Sequence, residues 1–124
     1  MVLPDEVSKK VYQLVEIASK SGKVRKGSNE ATKCLERSRA KAVVVAADVN
    51  PKEIIMHFPI LAKETGAIYL EVPQKAQLGA SCGLKSATSA VAIEELGEGS
   101  RLFSEIQKDI ENLSKKQENP TPTQ

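Results

Sequence analysis

A basic segment bounded by two glycines is the first part of this 124-residue sequence whose spacing suggests chemistry. Gly22 and Gly27 stand five positions apart, as the two glycines of a phosphate-binding loop do. The lysine and the Ser/Thr that should follow the second glycine are replaced by Ser28 and Asn29. The segment also follows a predicted helix, whereas such loops follow a strand. A small α/β nucleotide-binding domain or enzyme is therefore disfavoured and is kept as the alternative hypothesis.

The other side chains with catalytic potential do not form a constellation. His57 stands alone on a predicted helix, which favours a packed or surface role over that of a general base. Cys34 and Cys82 are interpreted as reduced core thiols of an intracellular protein, and their spacing with the histidine does not fit a zinc site. Glu94 and Glu95 are interpreted as solvent-exposed carboxylates beyond a strand. We therefore predict no enzymatic activity, no metal and no cofactor.

Positive charge is concentrated between residues 20 and 41. The whole chain carries a formal net charge of +2, but this segment carries +6 and the rest carries −4. Its cations are Lys20, Lys23, Arg25, Lys26, Lys33, Arg37, Arg39 and Lys41, and its only acidic residues are Glu30 and Glu36. Such a segment on a nearly neutral protein indicates a polyanionic partner, although a solvated lysine-rich face explains the charge equally well.

The basic segment contains no aromatic residue, which disfavours nucleic-acid binding by base stacking. The aromatic residues of the chain, Tyr12, Phe58, Tyr69 and Phe103, all lie elsewhere. An RRM needs aromatic platforms on its strands, and most OB-fold surfaces also stack bases on aromatic rings. A helix N-terminus presented to the nucleic acid is the remaining physical option.

The residues after the second glycine fit that option. Free N–H groups at a helix start favour a phosphate, and Gly27 allows close approach of another backbone. Asn29 and Lys33 lie four residues apart on one helix face and can bind base edges, while Glu30 can accept from an exocyclic base amine. In the simpler alternative, Ser28 or Asn29 caps the helix and Glu30 pairs with Lys33. Residue chemistry alone leaves both interpretations open.

Alternating helices and strands are predicted from hydrophobic periodicity and from the positions of glycine and proline. Helices are predicted from Asp5 to before Gly22, over 30–37, from Pro51 to Gly66 with Asn50 as N-cap, over 75–81 and over about 100–113. Strands are predicted over 42–47, 68–72 and 89–93, and Lys23–Lys26 is predicted to be an extended link. This alternation implies βαβ units and a mostly parallel sheet covered on both faces.

We therefore predict an α/β fold: a single-domain three-layer α-β-α sandwich with a small mixed sheet over 1–116, and a disordered polar tail over 117–124. Hydrophobic residues make up 40% and charged residues 27%, a balance typical of soluble domains. No run of about 18 apolar residues exists, and residues 1–6 lack the parts of a signal peptide. We expect a cytoplasmic protein that is monomeric when free and has no membrane partner.

Three sequence blocks together resemble a known family. Residues 22–33 (GKVRKGSNEATK) resemble the signature of the archaeal kink-turn-binding ribosomal protein family, ribosomal protein "L-seven-Ae". The blocks AADVNP at 46–51 and LGASCG at 78–83 match in the same order, and the resemblance covers 7–110. Eukaryotic relatives of that family belong to box C/D and H/ACA particles and to the spliceosome. The resemblance implies an α-β-α sandwich that binds kink-turns, which are bent RNA duplexes with tandem sheared G·A pairs beside a bulge.

The resemblance also implies roles for twelve residues. The trio that reads the guanines matches Asn29, Glu30 and Lys33, and the phosphate contacts match Lys26, Gly27 and Ser28. The family holds an extruded bulge base where this chain has Asn50, Ile54 and Lys75, and covers it with a loop that matches Leu84, Lys85 and Ser86. Archaeal members usually carry an acidic and then an apolar residue at the positions of Lys85 and Ser86, and a glutamate is common at that of Asn50.

The function implied by the resemblance is recognition and stabilisation of kink-turn RNA. The expected RNA partners are ribosomal RNA, as bound by a large-subunit protein, and box C/D guide RNA, with H/ACA and RNase P RNA as further targets. Other ribonucleoprotein core proteins are expected partners as well.

Overall fold

The computed structural model describes residues 2–118 and the side chains of residues 2–113. Helices and strands follow one another in the order α1 (Asp5–Ser21), β1 (Lys23–Lys26), α2 (Ser28–Glu36), β2 (Ala42–Ala46), α3 (Phe58–Thr65), β3 (Ile68–Val72), α4 (Lys75–Ser81), β4 (Ala90–Glu95) and α5 (Ser100–Glu118). Short 3-10 turns at Lys52–Ile54 and Gly97–Gly99 precede α3 and α5. No helix among the residues described here is both long and apolar enough to cross a bilayer.

The four strands form one mixed sheet in the order β1-β4-β2-β3. Only β2 and β3 pair in parallel, while β4 runs antiparallel to both β1 and β2. The predicted mixed sheet is confirmed, but the expectation of mostly parallel pairs is wrong. The difference has two sources. The strand β4 runs antiparallel to β2, and Lys23–Lys26, predicted as a link, is a strand that pairs antiparallel with β4 despite its three charged side chains.

Helices cover both faces of the sheet, as predicted. The helices α2 and α3 pack on one face, α1 and α4 pack on the other, and α5 packs on α1. Every residue of β2 is buried between these layers. The predicted apolar stripes of α1 and α2 are also buried: Val7, Val11, Leu14, Val15 and Ala18 in α1, and Ala31, Cys34 and Leu35 in α2. Burial of a large aliphatic side chain stabilises a fold by about 1.5–3 kcal/mol, so these stripes fix both helices on the sheet.

The helix predicted from Pro51 to Gly66 is divided in two. A 3-10 turn ends at Ile54, and α3 begins only at Phe58. Pro59 has no N–H, and its ring would clash with the carbonyl four residues before it, so a helix tolerates it only in the first turn. Asn50 therefore caps no helix, and the side chain of Ile54 is 38% exposed instead of belonging to a continuous apolar stripe.

Two element ends also differ from the prediction. The strand predicted over 89–93 runs over Ala90–Glu95, which brings Glu94 into the sheet. The last helix continues past residue 113 to Glu118, so the predicted tail begins inside the helix. The rest of the predicted tail, residues 119–124, lies outside the described residues.

Candidate nucleic-acid interface

One edge of the sheet gathers all the predicted RNA-binding residues. The strands β1, β2 and β3 end on the side of the sheet where β4 begins. Two backbone hydrogen bonds join these ends: Gly27 N–H donates to Ala90 C=O at 2.8 Å, and Ala46 N–H donates to Ser89 C=O at 2.9 Å. From the end of β1 come Lys26, Gly27, Ser28, Asn29, Glu30 and Lys33; after β2 come Asn50 and Ile54; after β3 comes Lys75; before β4 come Leu84, Lys85 and Ser86. Sheet topology thus brings together segments that are up to 60 positions apart, from 26 to 86.

The N-terminus of α2 is open at this edge. Gly27 is its N-cap with φ 95°, and no side chain forms a capping hydrogen bond. The first backbone bond of the helix runs from Ala31 N–H to Gly27 C=O, which leaves the three preceding N–H groups without a described partner. The prediction that Ser28 or Asn29 caps the helix is therefore wrong. Free N–H groups and the positive end of the helix dipole together favour a bound phosphate.

A groove of about 480 Å³ lies beside the first two turns of α2. It is lined by Ser28, Asn29, Thr32, Lys33, Glu36, Ile54 and His57. The groove therefore brings Asn29 and Lys33, proposed to read bases, to the Ile54 side chain from the segment after β2. The side chains of Lys33 and Glu30 form an exposed i,i+3 ion pair at 3.6 Å, as the simpler interpretation expects. Such exposed pairs contribute at most about 1 kcal/mol and leave both groups accessible.

His57 and Thr32 join the two walls of this groove. The hydroxyl of Thr32 donates to Ser28 C=O at 2.7 Å and lies 2.7 Å from His57 Nε2. A hydroxyl has one proton, so a Thr32 hydroxyl that donates to Ser28 C=O can accept from the His57 tautomer that carries its hydrogen on Nε2. The imidazole also lies 4.2 Å from the ring of Phe58, centroid to centroid. His57 is exposed, in agreement with the predicted surface role. Its contact with Thr32 holds the segment before α3 against α2.

The segment after β2 is also joined to α4. The backbone N–H of Lys75 donates to Asp48 Oδ1 at 2.8 Å, so the Asp48 carboxylate satisfies the start of α4. This bond places the exposed residues Asn50 and Lys75 on two adjoining segments of the same edge. Asn50 and Lys75 thus lie on adjoining segments, while Ile54 lines the groove beside α2.

The loop before β4 is held close to α4. Leu84 N–H donates to Gly79 C=O at 2.9 Å, and Leu84 is packed against the core. A Cβ on Gly79 would collide with the carbonyl oxygen of Ser86, so only glycine permits this approach. Lys85 and Ser86 remain exposed beyond Leu84, which leaves their side chains available to a ligand.

The geometry required by the alternative nucleotide site is not present in the glycine-bounded segment. The residues between Gly22 and Gly27 form β1, so they pair with β4 instead of wrapping a phosphate. The two thiols, Cys34 and Cys82, are buried, and burial raises the pKa of both. Thiols with raised pKa values are poor nucleophiles at neutral pH, in agreement with their predicted role as core residues.

A family model confirms the resemblance found in the sequence. The model described as the "Ribosomal protein L7Ae/L30e/S12e/Gadd45 family" matches residues 9–103. The chain belongs to this family.

A solved member of the L7Ae fold shares the architecture described above. The Giardia lamblia 15.5kD RNA binding protein is 28% identical to this chain and superimposes with a TM-score of 0.83. The match covers 90% of this chain and 93% of the Giardia protein. The L7Ae-type sandwich is therefore shared along almost the whole length of both proteins.

Sequence reasoning missed three contributors to this surface. Thr32 and His57 line the groove, and Asp48 accepts from the first N–H group of α4. The position of Thr32 four residues after Ser28 could have predicted its hydrogen bond, since a threonine hydroxyl in a helix often donates to the carbonyl four residues before it. The contacts of His57 and Asp48 join segments 25 and 27 positions apart, and no local pattern encodes them.

Proposed function

We propose that this chain is an RNA-binding protein whose sheet edge recognises kink-turns and stabilises their bent form. Membership of the L7Ae family and the similarity to an RNA-binding protein of known structure support RNA as the ligand. The open N-terminus of α2, beside the groove that contains Asn29 and Lys33, is the observation that carries the proposal. The proposed RNAs are ribosomal RNA and box C/D guide RNA, with H/ACA and RNase P RNA as further targets.

The chemistry of the α2 N-terminus suits a phosphate flanked by base edges. The unpartnered N–H groups of Ser28, Asn29 and Glu30 can donate to phosphate oxygens, and the charge of Lys26 adds to their attraction. One turn further, Lys33 can donate to guanine O6 and N7, while Glu30 can accept from a guanine amine. A carboxylate in a segment of charge +6 fits base recognition better than contact with phosphate.

Selectivity for a kinked RNA follows from access to its major groove. The major groove of a regular A-form duplex is too deep and narrow for side chains to read. A sharp kink opens the groove beside the G·A pairs and brings phosphates close together. A protein that binds only the kinked state shifts the population of the RNA towards it, and no covalent step is needed.

The adjoining segments supply a place for the bulge base. Ile54 offers an exposed apolar surface, and Asn50 and Lys75 offer polar groups beside it. The Leu84–Ser86 loop would close over the base from the side of β4. In the cell we propose a cytoplasmic protein that joins other ribonucleoprotein core proteins on the RNA.

A gel-shift comparison tests the proposal. The kink-turn RNA is compared with the same RNA in which Watson–Crick pairs replace the tandem G·A pairs, at several salt concentrations. We expect specific binding of the first RNA and only salt-sensitive, non-specific binding of the second. Equal affinity for both RNAs would make the protein a general basic RNA binder. Thermal stabilisation by a nucleoside triphosphate, without RNA binding, would favour the alternative nucleotide-binding function instead.

A further inference from the structure

A largely buried carboxylate lies on the sheet face that α2 covers. The side chain of Glu94 is only 10% exposed, and its Oε2 atom has no hydrogen-bond partner among the described residues. This result corrects the prediction that Glu94 is a solvent-exposed residue beyond a strand. Three cations surround the carboxylate instead: Arg25 Nε at 3.3 Å, Lys23 Nζ at 3.8 Å and Arg39 Nη1 at 3.9 Å.

Strand register explains why these charges meet. Arg25 on β1 lies opposite Ala92 on β4, and Glu94 follows Ala92 by two residues, so all three share one face of the sheet. The helix α2 covers this face, and the same charges affect the pKa of the Cys34 thiol on that helix. Its pKa is raised by burial and by Glu94, and it is lowered by Arg25 and Arg39.

The cations surround a small open cavity of about 60 Å³. It is lined by four cationic side chains (Arg25, Lys33, Arg37 and Arg39) and by Glu30, Glu94 and Cys34. The cavity has about one eighth of the volume of the groove, so it accommodates a small chemical group and not a whole base. An oxygen of a phosphate group fits its size, and the excess of cations fits the charge of a phosphate.

The ion pairs with Glu94 leave the arginines able to bind another anion. None of the contacts to Glu94 is a hydrogen bond, so the side-chain N–H groups of Arg25 and Arg39 remain available. Attraction to the Glu94 carboxylate favours positions of the arginine side chains near the cavity, which reduces the entropy lost when they bind a ligand. Arg37 lines the same cavity and adds a further positive charge to it.

We infer that Arg25, Arg37 and Arg39 form a second RNA-binding surface for the phosphate backbone of the stem beside the kink, with Glu94 as its positioning residue. The inference rests on the proposed RNA-binding function. Lys33 and Glu30 connect the two surfaces, since Lys33 lines both the groove and the cavity and Glu30 lies next to it. The helix α2 rises by about 12 Å between Asn29 and Arg37. The arginines therefore reach phosphates beyond the G·A pairs, on the flanking stem.

Two RNAs distinguish binding at this surface from binding at the groove beside α2. One is a kink-turn with a long stem next to the G·A pairs, and the other has that stem trimmed immediately after them. We expect the double variant Arg25→Gln/Arg39→Gln to bind the long-stem RNA about 3–10-fold more weakly. Its log–log salt slope should decrease by about 1 for every phosphate that the variant no longer neutralises. Affinity for the trimmed RNA should stay close to that of the parent.

The matched control is Arg101→Gln on α5, on the opposite side of the sheet, which should behave like the parent with both RNAs. Glu94→Gln tests positioning, because the amide keeps the size of the side chain and removes its charge. At each salt concentration the affinity for the long-stem RNA is divided by that for the trimmed RNA. We expect this ratio to be smaller for Glu94→Gln than for the parent, while the affinity for the trimmed RNA stays close to that of the parent. Melting temperatures measured alongside identify any loss of fold.

The outcomes distinguish this inference from the proposed function. If the parent shows no preference for the long stem, or if Arg25→Gln/Arg39→Gln keeps both the preference and the salt slope, the second surface does not exist. Asn29→Ala would still weaken binding of both RNAs in that case, and the proposed function would stand. If Glu94→Gln keeps the preference while the arginine variant loses it, the arginines bind RNA but Glu94 does not position them. If the parent binds neither kinked RNA, the proposed function itself fails.

Discussion

Two helices begin at the same edge of the sheet, and their N-termini differ in the partner of the first N–H group. At α4, the first N–H belongs to Lys75 and donates to the Asp48 carboxylate at 2.8 Å. At α2, the N-cap is Gly27, no side chain caps the helix, and three N–H groups have no described partner. A capping side chain typically stabilises a helix by about 1 kcal/mol, so α2 forgoes a contact that α4 has.

The difference separates a structural helix end from one that is open to a ligand. Gly27 has φ 95°, a conformation that residues with a side chain adopt only under strain, although space around its Cβ position is open. The open end of α2 also has positive charge around it, whereas the end of α4 has a carboxylate of the protein itself. A phosphate bound at the start of α2 could therefore accept from its N–H groups, as the Asp48 carboxylate accepts from the first N–H group of α4.

The largest effect is expected from removing the base-reading groups next to the open end. Asn29→Ala and Lys33→Ala should each weaken binding of kink-turn RNA by about 1–3 kcal/mol, because each removes a hydrogen bond to a base edge. Neither side chain is buried, so melting temperatures should stay within a few degrees of the parent. Titration of labelled RNA measures the affinity. Unchanged binding by both variants would mean that the recognition surface lies elsewhere.

Neutralising the carboxylate of the open helix should affect kinked and straight RNA in opposite directions. In Glu30→Gln, an amide replaces a carboxylate as acceptor for a base amine, so kink-turn binding should weaken by about 1 kcal/mol. Binding of a straight duplex should become slightly tighter, because repulsion from the phosphates decreases. Gel shifts with both RNAs at matched salt measure the two effects. Equal tightening with both RNAs would reduce Glu30 to the partner of Lys33 in an exposed ion pair.

Removing the Asp48 carboxylate would leave the first N–H group of α4 without its acceptor, as the first N–H groups of α2 are. Asp48→Ala should lower the free energy of unfolding by about 1 kcal/mol, because Lys75 N–H loses its acceptor. Asp48→Asn is the matched control, since it keeps an acceptor oxygen without the charge and should retain most of the stability. Urea denaturation measures both variants. If Asp48→Ala is as stable as the parent, the bond to Lys75 contributes nothing to the fold.

The smallest effect concerns the other end of α2. Ser38 has φ 56°, and its N–H donates to Leu35 C=O while Arg39 N–H donates to Cys34 C=O, the pattern of a Schellman motif. Glycine adopts this left-handed conformation without strain, so Ser38→Gly should raise the free energy of unfolding by about 0.5–1 kcal/mol. RNA affinity should stay close to that of the parent, because glycine keeps the same backbone conformation between Arg37 and Arg39. A lower melting temperature for Ser38→Gly would contradict the strain argument.

The sequence was sufficient for most of the fold because its core patterns are local. The stripes of α1 and α2 and the continuous apolar run of β2 are read from periodicity, and all three are buried as predicted. The helix predicted from Pro51 to Gly66 is divided because of Pro59, and the spacing of apolar residues gives no indication of this break. The strand β1 could not be read in this way, since Lys-Val-Arg-Lys forms a strand only because β4 provides its backbone partners.

Residue chemistry alone indicated site residues only where they adjoin in sequence, and the family resemblance supplied the candidates in the three other segments. Residues 26–33 form one continuous block, and the structure presents it at one helix end. The hydrogen bond of His57 to Thr32 and the ion pairs of Glu94 depend on how distant segments pack. The expectation for Glu94 is wrong because β4 continues past residue 93, where the apolar run ends, and its side chain lies on the face covered by α2.

The two outer strands of the sheet are protected from other copies of the protein in different ways. At β3, the N-terminal segment covers part of the edge, where Leu3 N–H donates to Glu71 C=O. At β1, the outer backbone groups have no strand partner in the part of the chain described, and Lys23, Arg25 and Lys26 provide the protection through charge. Charge protection weakens in salt, whereas bound RNA would physically screen this side of the molecule. RNA-free protein at high ionic strength is therefore the state in which edge-to-edge association and aggregation should be sought.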